Sequence, residues 1–179
     1  FGKSNGWVVC FSDSGRNSEI LSSDDNYFTM NNARSSAGGW ASSKMLNVIC
    51  PAFLACLPSE WQNVIAETTK YSDNGNTSSM TSTVDKLFLL SEYEINRGQY
   101  VTPNGYANSV AKNYQSQYDY YKNGNGTDIK DVATGNVNAR AWLRSCSSGA
   151  SFCYITVYHG TNGTYASYSS GFMPAFKVA

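Results

Sequence analysis

The sequence predicts an α+β domain, because two kinds of pattern occur in a fixed order. Two short stretches with helical spacing lie between residues 40 and 65, whereas strand-like stretches dominate the last forty residues. Early helices followed by a run of strands are typical of the α+β class. The 179 residues fit one hydrophobic core, so we expect a single domain over residues 1–179. Because residue 1 is Phe, we expect either a processed product or a fragment, the C-terminal part of a longer chain.

The charge and the apolar content of the chain argue against two classes of partner, nucleic acids and membranes. Thirteen basic and thirteen acidic side chains cancel, so the chain lacks the positive field that draws proteins to phosphate backbones or anionic membranes. No apolar run approaches the roughly 20 residues that a membrane-spanning helix needs. We therefore expect no nucleic-acid partner and no membrane insertion.

The first third of the chain predicts one strand and one helix. Gly6 to Phe11 is apolar and β-branched, which indicates a strand, and Ser12 to Gly39 reads as a long polar loop. A helix is expected to begin near Trp40 and to end at Pro51. Its core-facing residues share three- and four-residue spacing: Met45, Leu46 and Ile49.

The middle of the chain is more varied. Leu57 to Trp61, with a proline near its start, predicts a second short helix. Ser72 to Thr83 lacks a period and indicates an exposed loop, whereas Lys86 to Ser91 is an apolar run that predicts a strand covered on both faces. Gly98 to Asn138 is polar and Tyr-rich, and Ala107 to Tyr121 within it allows a short irregular helix.

The C-terminal region predicts an antiparallel meander. Ala141 to Ser145 and Phe152 to Tyr158 read as strands. The Asn-Gly pair in Thr161 to Thr164 predicts a hairpin turn, with Tyr165 to Tyr168 on the returning strand, and Gly171 to Val178 is strand-like again. Alternation in the predicted strand Phe152 to Tyr158 places one set of side chains inward: Cys153, Ile155 and Val157. It places the other set outward: Phe152, Tyr154, Thr156 and Tyr158.

The cysteines show no motif for metal binding or redox chemistry. They form an odd set without a CxxC pair: Cys10, Cys50, Cys56, Cys146 and Cys153. We expect reduced, mostly buried thiols, and for Cys146 and Cys153, on adjacent predicted strands, burial is favoured over reactivity. His159 stands beside the predicted turn without a motif that would bring a nucleophile to it, so no catalytic triad is expected.

Glu92 and Glu94 invite an acid–base interpretation, since paired carboxylates hydrolyse glycosides. On a strand, however, residues two apart point the same way, so capping or pairing with Arg144 or Lys86 is favoured. The acidic residues in Asp24 to Asn26 stand alone in a predicted loop, which argues against a calcium site. The single histidine argues against a zinc site. We predict no catalytic residue, no metal and no cofactor, and hence no enzyme.

Four segments carry a resemblance to a known family: Trp40 to Asn47, Lys86 to Ile95, Trp142 to Ser145 and Gly171 to Phe176. In this order they resemble DUF6273, a bacterial and phage family with a C-type-lectin-like fold. The resemblance implies that fold, which is shared with variable proteins of diversity-generating retroelements and with formylglycine-generating enzymes. The last segment departs from the family, because Met173 stands where an arginine is common, which puts in doubt any salt bridge of that arginine.

In the variable proteins, C-terminal strands and loops form the binding face, and by position this implies Ser147 to Ser170 here. The region mixes tyrosine with small polar residues, as antibody combining loops do. The expected ligand-binding residues are Ser147, Ser148, Ser151, Phe152, Tyr154, Thr156, Tyr158, His159, Asn162, Tyr165, Tyr168 and Ser169. Alternatively, these aromatics pack against Gly98 to Asn138 or against another subunit.

The expected function is that of a non-catalytic display domain that binds ligand, such as a phage receptor-binding or host-adhesion protein. Its partner would be a bacterial cell-surface glycan or protein, and its location the virion surface, on tail or capsid, or the bacterial cell surface. The composition is compatible with a variable protein that is actively diversified. The alternative is a structural virion decoration that contacts other virion subunits, and a homo-oligomer fits either role.

Overall fold

The computed structural model describes residues 7–10, 27–74, 79–96, 111–122, 140–156 and 160–179. These residues contain ten strands: β1 Trp7–Cys10, β2 Tyr27–Thr29, β3 Ile65–Ala66, β4 Thr68–Asp73, β5 Met80–Asp85, β6 Arg140–Ser148, β7 Ser151–Thr156, β8 Gly160–Tyr165, β9 Ser169–Gly171 and β10 Ala175–Val178. The helical elements are a 3₁₀ turn Trp40–Ser42, a π-helix Met45–Ile49, α1 Cys50–Cys56, α2 Ser59–Val64, α3 Glu92–Asn96 and α4 Asp119–Lys122. The predicted α+β class is confirmed.

The described strands form three sheets. The largest has the order β2-β9-β6-β7-β8, a second has β1-β10-β3, and β4 with β5 forms a two-stranded ribbon. All pairs are antiparallel except β6 with β9, which meet in parallel at Ala141 and Gly171. None of the helices in the described ranges is both long and apolar enough to cross a membrane.

The hydrophobic core combines buried side chains from the large sheet, from β3 and β10 of the second sheet, from the early helical elements and from the segment 87–90. Its largest fully buried aromatic side chains are Trp40, Phe88, Trp142, Phe152 and Phe176. The indoles are also hydrogen-bonded: Trp40 Nε1 donates to Asp85 Oδ2 at 2.9 Å, and Trp142 Nε1 donates to the Phe28 carbonyl at 2.6 Å. A buried indole N–H needs such an acceptor, so these bonds fix the rings within the core.

The first helix does not end at Pro51. The π-helix runs directly into α1, and Pro51 lies in the first turn of α1. Because the helical backbone continues through Pro51, this proline removes one hydrogen-bond donor from the helix but does not end it. The prediction that Met45 and Ile49 face the core is confirmed, and the second helix is confirmed as α2 with Pro58 as its N-cap.

The exposed loop predicted for Ser72 to Thr83 is wrong, because β4 and β5 form a hairpin paired from Thr68 opposite Asp85 to Asp73 opposite Met80. The hairpin buries polar groups that are hydrogen-bonded, among them Lys70, Ser72 and Asp85. A search for apolar alternation misses a strand whose inward side chains are polar. β2 likewise lies inside the region predicted as one polar loop.

Two further predictions are corrected. Leu87 to Leu90 are all buried, as expected for a segment covered on both sides, but they form a single bridge from Phe88 to Ala175 rather than a strand. Asn162 and Gly163 lie within β8, opposite Tyr154 and Cys153, and not at a hairpin turn. The strand at Trp7–Cys10 and those at β6 and β7 are confirmed; Val157, 97–110 and 123–139 lie outside the described residues.

Candidate functional site

The face predicted to bind ligand is built by β7, β8 and the turn after β8. β7 and β8 pair over six residues, from Ser151 opposite Tyr165 to Thr156 opposite Gly160. The chain then turns, with Tyr168 N donating to the Tyr165 carbonyl at 2.9 Å. Among the described strands, β8 is the last in the order of the large sheet, so β8 and the turn after it lie at the sheet edge and β7 lies next to them.

The structure exposes only part of the predicted set. Its exposed members are Asn162, Tyr168 and Ser169. Its partly exposed members are Ser148, Tyr154 and Tyr165. Its buried members are Ser147, Ser151 and Phe152. The structure does not describe Tyr158, His159 or the side chain of Thr156.

The outward placement of Phe152 is wrong. Phe152 is fully buried, as are its neighbours Cys153 and Ile155, so both faces of this part of β7 are covered. β6, which pairs with β7, is also buried along both faces from Ala141 to Ser147. Alternation assigns side chains to two faces but does not show whether a second layer covers the outer one.

Three side chains form a cluster at the sheet edge that we call the aromatic patch: Arg34, Tyr165 and Tyr168. The Arg34 guanidinium carbon lies 3.2 Å from the Tyr165 ring centroid. The Tyr165 and Tyr168 rings meet edge to face, with centroids 5.2 Å apart. Tyr168 is 51% exposed. The patch therefore presents a tyrosine that is accessible to a partner and held in place by its neighbours.

A second arginine supports the same surface. The Arg140 guanidinium carbon lies 5.6 Å from the Tyr154 ring centroid, and Arg140 Nη2 donates to the Ser169 carbonyl at 3.3 Å. Arg140 therefore links the partly exposed Tyr154 to the strand that follows the aromatic patch. The sequence reasoning missed both Arg34 and Arg140, because neither belongs to a motif and Arg34 lies about 130 residues from Tyr165.

The inner face of β7 and β8 is occupied by Glu92. Thr161 Oγ1 donates to Glu92 Oε1 at 2.6 Å, and the Glu92 amide donates to Ser145 Oγ at 3.0 Å. Cys153 Sγ lies 3.9 Å from Glu92 Oε2. Glu92 thus joins α3 to three strands, which is a structural role.

Glu94 is the centre of a buried ionic cluster. Its Oε1 lies 2.7 Å from Lys70 Nζ and its Oε2 lies 2.6 Å from Arg144 Nη1. The predicted pairing with Arg144 is confirmed, but the second cation is Lys70 and not Lys86, which is exposed. Glu92 and Glu94 lie on helix α3 and not on a strand, so the predicted strand is wrong.

The charges of this cluster stabilise one another. Burial by itself raises the pKa of Glu94, but Arg144 and Lys70 outweigh it and lower that pKa to about 2. Burial by itself lowers the pKa of Arg144, but Glu94 outweighs it and raises that pKa above its ordinary value. Glu94 and Arg144 are therefore both charged at neutral pH.

The described cysteines are free thiols, and Cys50, Cys146 and Cys153 are buried whereas Cys56 is exposed. Burial raises the pKa of Cys50, Cys146 and Cys153. The prediction of mostly buried, reduced thiols is confirmed for these residues. Within the described ranges, no three His, Cys, Asp or Glu side chains are grouped so that they could hold a metal ion.

The family model described as "Domain of unknown function (DUF6273)" matches residues 17–179. The chain belongs to the DUF6273 family. No curated protein and no solved structure matched the chain. Each of the four segments that resembled the family contributes a fully buried side chain to this DUF6273 domain: Trp40, Phe88, Trp142 and Phe176. These segments therefore build the core, and the aromatic patch is formed largely by residues between the third and fourth.

Proposed function

We propose that this DUF6273 domain is a non-catalytic binding domain whose aromatic patch contacts a glycan or protein on a bacterial cell surface. The observation that carries the proposal is the half-exposed Tyr168, held edge to face by Tyr165. An exposed aromatic ring that is already ordered loses little conformational entropy on binding.

The surroundings of Tyr168 support recognition by short-range contacts. Asn162 and Ser169 are exposed and offer hydrogen bonds close to the tyrosines in sequence. Arg34 already covers one face of Tyr165, and Tyr168 packs edge to face against the same ring, so contacts within the patch restrict both tyrosines before a ligand arrives. The zero net charge of the chain favours such local contacts over long-range steering.

The family resemblance adds a fold and a location to the proposal. We propose a C-type-lectin-like architecture and a place on the surface of a phage particle or of a bacterial cell, where the domain acts as a receptor-binding or adhesion protein. The tyrosines, asparagine and serines of the C-terminal region are also the residue types that a diversified variable protein would carry. Support comes from family membership and from the position of Tyr165 in β8, with Tyr168 in the turn that follows it.

The test compares binding of the labelled domain to intact candidate host cells with that of two variants. Tyr168→Ser removes the exposed ring, and Val84→Ser changes a side chain that is 65% exposed on β5 as a matched control. We expect Tyr168→Ser to weaken binding by about tenfold or more, which corresponds to about 1.4 kcal/mol, and Val84→Ser to bind like the parent.

Two results would count against the proposal. Equal binding by the parent and Tyr168→Ser would exclude the aromatic patch as the contact surface. Absence of cell binding, combined with self-association that Tyr168→Ser abolishes, would instead support the structural alternative, in which the same face packs on neighbouring virion subunits.

A further inference from the structure

The cation of the aromatic patch has no carboxylate partner within the described parts of the chain. Arg34 is exposed, and its guanidinium carbon lies 3.2 Å from the Tyr165 ring centroid. An aromatic face attracts a cation but supplies no oxygen that accepts from its N–H groups. Among the described residues, Arg34 takes part in no side-chain hydrogen bond and in no ion pair. Its N–H groups are therefore left for solvent or for a ligand.

The sequence around the patch lacks acidic side chains. Residues 27–59 and 132–179 supply the patch, and neither segment contains an Asp or a Glu. The Lys and Arg residues of the two segments are Arg34, Lys44, Arg140, Arg144 and Lys177. The two segments therefore bring positive charge and no carboxylate side chain to this surface, although the net charge of the whole chain is zero. A negatively charged ligand complements such a surface.

The loop that carries Arg34 is fixed to the large sheet on both sides of this residue. Asn31 N donates to the Ala166 carbonyl at 2.9 Å, in the turn after β8. Ser36 N donates to the Gly149 carbonyl at 3.1 Å, in the turn between β6 and β7. Because the backbone is anchored before binding, Arg34 loses less conformational freedom when it meets an anion.

A second cation lies at the same loop. Lys44 Nζ donates to Asn32 Oδ1 at 2.9 Å, and Lys44 N donates to Asn31 Oδ1 at 2.9 Å. Both acceptors are neutral amides, and within the described ranges Lys44 pairs with no carboxylate. Lys44 thus adds to the positive charge close to Arg34 in the chain.

The accessible apolar surface of the patch is one tyrosine ring. Tyr168 is 51% exposed, and its centroid lies 5.2 Å from that of Tyr165. The residues on either side of it, Ser167 and Ser169, carry hydroxyl groups and are at least partly exposed. A protein partner would need a much wider contact, since specific interfaces bury about 800 Å² on each side. One sugar ring, by contrast, packs its C–H groups on one aromatic ring and leaves its hydroxyls for polar neighbours.

We infer that the aromatic patch binds a sugar that carries a carboxylate, with the carboxylate on Arg34 and the sugar ring against Tyr168. The inference rests on the proposed function, because it names the ligand class of the same surface. A guanidinium presents two parallel N–H groups to a carboxylate while its flat face stays on an aromatic ring. A neutral sugar would leave these N–H groups without an anionic acceptor, and a simple inorganic anion would leave Tyr168 without a contact.

The experiment titrates the purified protein with a short galacturonic acid oligosaccharide and with its methyl ester, which keeps the rings and removes the charge. Binding is followed by protein NMR. We expect the acid to bind with a dissociation constant in the millimolar range and the ester to bind about fivefold more weakly. Added salt should reduce this difference, because it screens exposed charges. Sialyllactose and its methyl ester form a second pair with a different acidic sugar.

Two variants with the same change of charge locate the carboxylate. Arg34→Gln removes the cation of the patch, and Lys86→Gln removes an exposed cation outside the patch. We expect Arg34→Gln to bind the acid only as well as the ester, with binding of the ester changed by less than about twofold. Lys86→Gln should keep the preference for the acid. Tyr168→Ser should weaken binding of the acid and of the ester alike.

The inference is overturned if neither acid binds more tightly than its ester, or if Arg34→Gln keeps the preference of the parent. It is also overturned if an aspartate-rich peptide binds at Arg34 more tightly than both acidic sugars, because the partner would then be an acidic protein. Cell binding that depends on Tyr168 without any preference for the acids would leave the proposed function standing and remove this inference alone. Cell binding unaffected by Tyr168→Ser would contradict the proposed function itself, so the two failures are distinguishable.

Discussion

Glu94 shows what one buried carboxylate does for this domain. It lies on α3 and accepts from Lys70 on β4 and from Arg144 on β6, so it joins three elements that are distant in sequence. The sequence indicated one of the two partners, because Arg144 lies in a segment that resembles the family. Lys70 was missed because it lies in a hairpin whose inward residues are polar, and hydrophobic patterning does not detect such residues.

Replacing Glu94 by Gln should strongly destabilise the fold. The change removes the carboxylate that pairs with both Lys70 and Arg144 at a buried place, and removing one partner of a buried ion pair costs about 3–5 kcal/mol. The measurement is the free energy of unfolding in urea. Glu67→Gln, at an exposed position, is the control and should change stability by less than about 0.5 kcal/mol. A loss below about 1 kcal/mol for Glu94→Gln would contradict this account.

At the scale of elements, β8 explains why the predicted turn is wrong. An Asn-Gly pair is a strong turn signal, yet Gly163 lies in mid-strand opposite Cys153. A Cβ on Gly163 would lie 2.6 Å from Ser147 Cβ and 2.2 Å from Ser147 Oγ. Glycine is needed there because β6 approaches closely, and not because the chain reverses.

Gly163→Ala should therefore destabilise the domain by about 1–3 kcal/mol, because an added methyl group overlaps Ser147. Ser147→Gly in the same molecule removes the obstructing atoms and should restore much of the loss. Thermal and urea unfolding of the two single variants and the double variant form a double-mutant cycle. Additive losses in the double variant would show that the overlap is not the cause.

The burial of β6, β7 and α1 predicts how the thiols react. In a Cys10→Ser background, Cys56 should react rapidly with a thiol reagent, whereas Cys50, Cys146 and Cys153 should react only as the protein unfolds. Burial both blocks access and raises the pKa of these three thiols. The measurement counts modified cysteines by mass spectrometry over time, without and with denaturant. Rapid modification of Cys146 or Cys153 in the native protein would contradict the two-sided burial of the sheet.

At the scale of the whole molecule, the ionic cluster links the hairpin, α3 and the large sheet, so its titration should govern stability in acid. The pKa of Glu94 is lowered from 4.5 to about 2 in the folded protein. A carboxyl whose pKa is lowered by folding stabilises the protein above its unfolded pKa and loses that contribution as the pH falls through the folded pKa.

Stability should therefore decline between about pH 4.5 and pH 2, and Glu94 should account for about 3 kcal/mol of that decline. The measurement compares urea midpoints of the parent and Glu94→Gln across this range. Other carboxyls titrate in both proteins, so the difference between the two curves isolates Glu94. The gap should narrow as the pH falls, and parallel curves would refute the assignment.

The sequence by itself determined the α+β class, the helical stretch that begins near Trp40, the strands β6 and β7, the buried thiols and the family. Each of these depends on local spacing, on residue type or on motif order, which a linear chain displays directly. Only the tertiary structure decided that Phe152 is buried, that Gly163 lies in a strand, and that Lys70 joins Arg144 at Glu94. It also brought Arg34 onto Tyr165. These features depend on what covers a face or approaches a backbone, and that is set by segments far apart in sequence whose contacts form only when the whole core packs.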